Sequence, residues 1–445
     1  MFYVTHQIEV ANLAGRTTKF QLEQDLPSAP SEIELLPLHR SGDIRHEFST
    51  PEGEGILNTS VDMTFVANLV DGFEDIFDLA KPGDIWLRII DGTDQLFLGY
   101  LDRDFIEEPA FIDTIFAFRA TFFSGMARTR QLNFNSDEFR NITSGLTVDK
   151  AVFDVIVGDA ILEKLCRHGI ETIYMLDWES ENYEPPAPGE TFARWTFIPL
   201  APWEDEEEEE EDKEVNRIKV WEVLRDICKA FFFKIGYSTV HQKGIVHHQI
   251  PGLVDGITPA GHLYNRQTGT TSPQAWQAQT LLESDIIRPA MKVKYDTISQ
   301  VTYKRAGISA GSGGLDKTRT FINPIDGSFL SPSIERFFPI DMYFGVEVYN
   351  ESAGLSLPAD TWADLFTGVT KFDATTILAE NVALYRFGTD LPGDNIDFRG
   401  IRAKVKKIID PMLAISFNGG LHNVVRCNVN PIDITSDIET FQYKY

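Results

Sequence analysis

Three histidines, His241, His247 and His248, fall within eight residues and are the side chains best suited by type to hold a metal ion. Neighbouring residues of a strand point to opposite faces, so His247 and His248 do not converge on one ion, and no metal is expected. A second candidate is the run Glu204, Asp205, Glu206, Glu207, Glu208, Glu209, Glu210, Glu211 and Asp212. Calcium takes many oxygen ligands, but an EF-hand loop alternates its carboxylates around a turn glycine, and this run does neither. A third is the stretch SAGSGG, Ser309–Gly314. It lacks the Lys and following Ser/Thr by which a phosphate loop grips a nucleotide. No GxSxG elbow, HExxH helix or dinucleotide glycine pattern occurs. With 67 acidic residues a pair of glycosidase carboxylates can always be nominated, and nothing favours any pair. No catalytic residue, cofactor-binding residue or cofactor is expected, and the chain reads as a non-enzyme.

Charge and composition narrow the classes further. Lys+Arg number 40 against 67 Asp+Glu, for a net charge of −27. Non-specific nucleic-acid binding depends on cationic neutralisation of phosphates, so a protein that grips DNA is not expected, and no sequence-specific nucleic-acid partner is expected either. An acidic wall past which DNA slides without sticking remains compatible with this balance. At 445 residues and 43% hydrophobic content, the chain is long enough for two to four cores. Cys166, Cys228 and Cys427 lie far apart without zinc or disulfide spacing, and read as buried small hydrophobes. The start MFYVTHQIEV lacks the pattern of a signal peptide, and no run approaches the ~18 apolar residues of a membrane span. A soluble protein made in a cytoplasm is the expectation.

The elements that must carry these residues are mostly strands. Asp84–Met126 contains three strand-like runs in succession, the first two joined by a turn at Asp91-Gly92. Trp86, Ile89, Leu96, Leu98 and Tyr100 would supply its packing surface. Upstream, Thr5–Val10, Lys19–Leu22, Ile33–Leu38 and Leu57–Phe65 read as strands, with Val61, Met63 and Phe65 at period two. Phe73, Ile76, Phe77 and Leu79 approach helical spacing. The pattern predicts a helix over Thr147–His168, then a proline-rich stretch Tyr183–Pro202 and the solvated acidic loop. From Val220 a helix follows, with Trp221, Leu224, Ile227, Cys228 and Phe231 on one face. A hairpin comes next, turning at Lys243-Gly244. Residues 251–279 read as a polar connector, Lys292–Lys304 as a strand and Ala374–Phe387 as a helix. Ile396–Val405, Met412–Phe417 and Val424–Val429 read as closing strands. In Ile401–Lys406 one face is apolar and the other, Arg402, Lys404 and Lys406, is wholly basic. The simpler reading is a half-exposed strand; the sharper one is an interface with an acidic neighbouring subunit. The 32 Phe invite a sugar-stacking role, but Phe116, Phe118 and Phe122 alternate as core residues do. Of Trp86, Trp178, Trp195, Trp203, Trp221, Trp276 and Trp362, Trp203 beside the acidic run is the one expected to be partly exposed.

This order of a β-barrel-like opening, a helix-and-hairpin insert and a β-rich end resembles the tail hub, or baseplate hub, family of tailed bacteriophages, with relatives in siphophage tail tips and contractile injection systems. The resemblance implies a mainly β fold with an α+β insert: two tail-tube-like β-barrel or sandwich domains flanking a mixed helix-hairpin domain. It divides the chain into a first barrel at 1–135, a middle domain at 140–255 with acidic loop 204–212, a connector at 256–284 and a second barrel at 285–445. It implies a structural virion protein whose homotrimer presents six barrels in a ring. That ring would join the tail tube or distal tail protein to a spike, fibre or tape-measure protein and let DNA pass. Such a protein is assembled in the host bacterial cytoplasm and resides in the virion tail. In the ring, Arg402, Lys404 and Lys406 would meet a neighbour and the acidic loop would line the lumen or rim. The alternatives are a β-sandwich carbohydrate-binding adhesin and a hexameric distal-tail adaptor.

Overall fold

The computed structural model describes residues 1–48, 55–68, 73, 75–78, 81, 83–107, 115–134, 141–143, 146–148, 172–176, 196–197, 219–231, 233–248, 260–265, 270–275, 278–287, 291–294, 300–305, 317–320, 333–338, 343–344 and 399–442. The protein is mainly β. The first nine strands are β1 (Phe2–Ala11), β2 (Thr17–Asp25), β3 (Glu34–Leu35), β4 (Leu38–Ser41), β5 (Ile44–Phe48), β6 (Gly55–Asn68), β7 (Ile85–Asp91), β8 (Asp94–Glu107) and β9 (Ile115–Ser124). Antiparallel pairing runs β1–β2–β7–β8–β9–β6. β6 then takes β4, and β3, just upstream of β4, lies parallel on β1. The chain thus passes from the β1 edge at β3 to the β6 edge at β4, so short strands cover both ends of the ladder.

Alternation explains which side chains fill this circuit. Along β6 every second residue from Leu57 to Ala67 is buried while Asn58, Ser60, Asp62 and Thr64 are half-exposed. Val61, Met63 and Phe65 meet Phe20, Ile89, Phe118 and Phe122 in one core. A short helix, α1 (Asp75–Asp78), closes the stack: Phe77 sits 5.5 Å from the Phe65 ring and 5.1 Å from Phe118. The β7–β8 hairpin is buried on both faces, since Trp86, Leu98 and Tyr100 pack outward against Phe2, Phe123 and Ala127. A 3₁₀ helix, Gly125–Arg130, covers that face and sets the Arg128 guanidinium 5.6 Å above the Tyr100 ring.

The later elements extend the same sheet. They are α2 (Val220–Phe231), β10 (Phe233–Ser238), β11 (Lys243–His248), β12 (Gln279–Thr280), β13 (Met291–Lys294), β14 (Arg399–Val405), β15 (Ile415–Phe417), β16 (Gly420–Asn430) and β17 (Thr435–Gln442). β13–β14–β17–β16–β15 pair antiparallel in that order, and β12 lies parallel on β15. Two joints tie this part to the first circuit. β5 pairs with β6 on one side and β16 on the other, with Cys427 opposite His46. β10 runs parallel to the start of β6, with Ile235 opposite Ile56. Phe20, Phe65, Ile44, Val424, Cys427 and Ile438 consequently belong to one contiguous core.

Several expectations from the sequence hold and several do not. The β7–β8 hairpin turns as predicted, with φ +61° at Gly92, while Asp91 remains a strand residue paired with Asp94. α2 spans its predicted range, but Val220, Val223, Leu224 and Cys228 form its buried side, and Trp221 instead stacks under Arg130 at 4.3 Å. The β10–β11 hairpin turns at Thr239–Gln242, where Gln242 adopts φ +54°. Lys243 and Gly244 are ladder residues facing Ser238 and Tyr237, because four turn residues are needed to bring Lys243 opposite Ser238. The predicted helix from Thr147 begins instead as strand Leu146–Val148 paired with Asn141–Thr143, and 149–171 lie outside the described residues. Part of the predicted connector is a hairpin, Ala260–Asn265 with Thr270–Ala275, whose first strand pairs with Thr172–Leu176. Lys292–Lys304 is two strands: β13 pairs with β14, whereas Gln300–Arg305 sits between Lys317–Thr320 and Ser333–Phe338 in another sheet. β17 has no counterpart among the sequence-predicted strands. The helix at 374–387, the acidic run 204–212, Cys166, Trp178, Trp195, Trp203, Trp276 and Trp362 lie outside the described residues.

Candidate functional site

The densest polar arrangement lies where β5, β6, β10, β16 and the 409–413 turn meet. The run Phe231-Phe232-Phe233-Lys234-Ile235 places one lysine in an otherwise apolar strand. Lys234 is buried, and its Nζ donates to the carbonyls of Pro411 (3.2 Å) and Val424 (3.1 Å) and lies 4.3 Å from the Phe48 ring. Asp410, fully buried, accepts from the Ser238 hydroxyl, the Val240 N–H (3.1 Å) and the Met412 N–H (2.8 Å). Its backbone exchanges two bonds with the Gln279 amide, at 2.7 and 2.9 Å. One aspartate therefore holds the hairpin tip, its own turn and the residue opening β12. Gly236 permits this approach, because a Cβ there would lie 2.6 Å from Leu57 Cβ and 3.0 Å from Met412 Sδ.

Burial dominates the electrostatics here. It pulls Lys234 down to about 7, against the partial support of the Asp410 charge. It pushes Asp410 up, against the stabilising bonds from Ser238, Val240 and Met412. His46, beside this junction on β5, shares its Nδ1 with the Thr59 hydroxyl at 3.0 Å, and burial lowers it to about 4. His46, Thr59, Leu98, Ser124, Met126 and Tyr237 line a small pocket beside it. An imidazole so depressed is a poor base at neutral pH, and no carboxylate lines the pocket to orient it, so the His46–Thr59 pair is not an activated nucleophile.

A second tie joins the two ends of the chain. Asp91, buried, takes the Arg16 guanidinium at 2.5 Å and the Asn12 amide at 2.8 Å. The same turn reaches the C-terminal sheet: Leu13 N–H donates to the Ile432 carbonyl (3.2 Å) and Thr18 Oγ1 to that of Pro431 (2.9 Å). Asn430 donates to Asp43 at 3.0 Å.

The residues singled out from sequence are placed as follows. Arg402 donates through Nε (3.2 Å) and Nη2 (2.6 Å) to Glu439 of its own chain, and Lys404 approaches Asp437 at 3.9 Å. These are the register partners across β14 and β17, so the basic face of one strand meets the acidic face of the next. Lys406 is exposed. Its neighbour Lys407 makes the ion pair with Asp285, at 2.9 Å. His247 and His248 fall at consecutive register positions opposite Lys234 and Phe233, and His241 lies in the hairpin turn. Among the described residues no group of three or more His, Cys, Asp or Glu is placed to hold a metal. Cys228 and Cys427 are free and buried, and Phe116, Phe118 and Phe122 are core residues. Sequence reasoning missed Lys234, Asp410, Asp91 and Gln279. Only Lys234 left a signal, as a charge interrupting an apolar strand.

No protein-family model and no curated protein matches the chain. Among solved structures it is similar to a 43 kDa tail protein of prophage MuSo2 from Shewanella oneidensis, at 9% identity and TM-score 0.39, over 91% of this chain and 93% of that one. It is also similar to an Escherichia coli type VI secretion component described as resembling the bacteriophage T4 tail proteins gp27 and gp5. That match has 7% identity and TM-score 0.36, and covers 95% of this chain and 77% of the other. No helix among the described residues is long and apolar enough to cross a membrane.

Proposed function

We propose that the chain is a structural tail protein, a hub whose homotrimer forms a ring between the tail tube or distal tail protein and a spike, fibre or tape-measure protein. Its role is assembly and passage of DNA, without turnover. The observation that carries this reading is the strand β5, shared between the N-terminal circuit and the C-terminal strands. A hub transmits load between a tube and a tip, and here the two halves of the chain cannot separate without breaking a backbone ladder. The net charge of −27 supports passage of a polyanion without adsorption. Arg402 and Lys404 are paired within the chain across β14 and β17, and Lys406 is exposed at the end of that basic face, so a ring contact would recruit it first.

Negative-stain microscopy with light scattering on concentrated protein, alone and with added tail-tube protein, tests this. Three-fold rings with a central opening are expected. A monomer under both conditions, with binding on a glycan array, would replace the hub by a carbohydrate-binding adhesin; six-fold rings would replace it by a distal-tail adaptor.

A further inference from the structure

Three buried histidines share one local design. His6, His46 and His422 each set Nδ1 against a threonine hydroxyl, of Thr5 (3.0 Å), Thr59 (3.0 Å) and Thr440 (3.1 Å) respectively. They differ in what a proton would meet. His6, inside the first circuit, has the Glu34 carboxylate 3.3 Å from Nε2. His46 and His422, each 3% exposed, have no carboxylate within ion-pair distance among the described residues. His46 lies at the joint itself, on β5 opposite Cys427, and His422 lies farther along the joint-forming strand β16, between Ile415 of β15 and Gln442 of β17.

We infer that this joint is an acid-sensitive seam, in which protonation of His46 and His422 releases β5, β16 and the β10–β11 hairpin from one another while the first strand circuit stays folded. A cation at His46 would sit among Leu57, Leu96, Leu98 and Tyr237, and one at His422 near the Phe417 ring, 6.1 Å away. Burying an unpaired charge in such surroundings is costly. The titratable groups that face the seam do not offset it. Tyr237 from β10 and Cys427 from β16 are neutral, their protons held by burial. Lys234 from β10 adds a positive charge as the pH falls. Asp410 is already committed to Ser238, Val240 and Met412, with His241 nearby. Glu47 and Arg426 are opposite each other in register at the next position, on the exposed side of the ladder. Asp437 and Glu439 of β17 serve Lys404 and Arg402.

The sign follows from burial. Both imidazoles are lowered to about 4 in the closed seam, against 6.5 when open, so the open form binds protons more tightly. The closed form is fully favoured above pH 6.5 and loses ground as pH falls toward 4. At pH 5 the opening constant rises about thirtyfold per histidine, or about a thousandfold for the pair. The seam depends on this chain's own joints and stands whether or not the chain is a hub.

Hydrogen exchange of the full chain from pH 7.5 to 4.5, corrected for intrinsic rates, reads it directly. Segments 44–48, 233–248 and 420–430 are expected to lose protection before 17–25. In H46Q and H422Q, which keep a polar partner for threonine but cannot charge, the loss should move to lower pH; if one variant fails to fold, the other suffices. Simultaneous loss in all segments, or an unchanged midpoint in the folded variants, overturns the inference.

Discussion

Replacing Asp410 by alanine removes the carboxylate that holds the hairpin tip against the 409–413 turn. Three donors lose their acceptor: the Ser238 hydroxyl, the Val240 N–H and the Met412 N–H. The hydroxyl can rotate, and it also accepts from His241 N–H at 3.2 Å, so it is not stranded. The two backbone donors cannot rotate. Each buried donor left without a partner costs about 1–3 kcal/mol, so D410A should lose about 2–6 kcal/mol. Water reaching Val240, whose side chain is exposed, moves the value toward the lower end. D410N keeps one acceptor oxygen and should lose about 1–2 kcal/mol. Urea titration followed by tryptophan fluorescence measures both. A loss under 1 kcal/mol in D410A, with unchanged exchange at 238–242, would refute the assignment of Asp410 as the pin of this junction.

Gly236→Ala should destabilise by about 1–3 kcal/mol, because the new methyl would sit 2.6 Å from Leu57 Cβ, an atom fixed by its own backbone; a neutral thermal melt would place β10 farther from β6. Changing Arg402, Lys404 and Lys406 together to Glu should weaken self-association, read by light scattering, more than it lowers the thermal midpoint. The exposed Arg402–Glu439 pair contributes less than about 1 kcal/mol to the fold, and equal losses in both readouts would remove the interface role.

Much of the first circuit was legible in the sequence. The alternation of Val61, Met63 and Phe65 and of Phe116, Phe118 and Phe122 names the inward faces of β6 and β9, because a pleated strand has a period of two whatever it pairs with. Gly92 and the β-formers around it fix the β7–β8 hairpin. The helical spacing of Trp221, Leu224 and Cys228 likewise gave α2 its place, although packing turned Val220 and Val223 rather than Trp221 inward. These features are local, set by residues a few positions apart.

The joints were not legible, for a physical reason. Pairing of Ile44–Glu47 with Arg426–Val429 connects segments separated by more than 370 residues, and strand alternation carries no record of which edge it will meet. Ile33–Leu38 read as one strand, yet Glu34–Leu35 pairs with β1 and Leu38–Ser41 with β6. Asp410 is one of 67 acidic residues in the chain, and only the packing of the hairpin onto its turn makes it a buried pin. Arg402 and Lys404 showed from sequence alone as an unanswered basic face, whereas the tertiary register places Glu439 and Asp437 beside them. Periodicity and composition determined a mainly β, strongly acidic chain without a recognisable catalytic motif. Tertiary structure decided which strands share hydrogen bonds and which buried charges find partners, because both depend on contacts between residues that the chain brings together only when it folds.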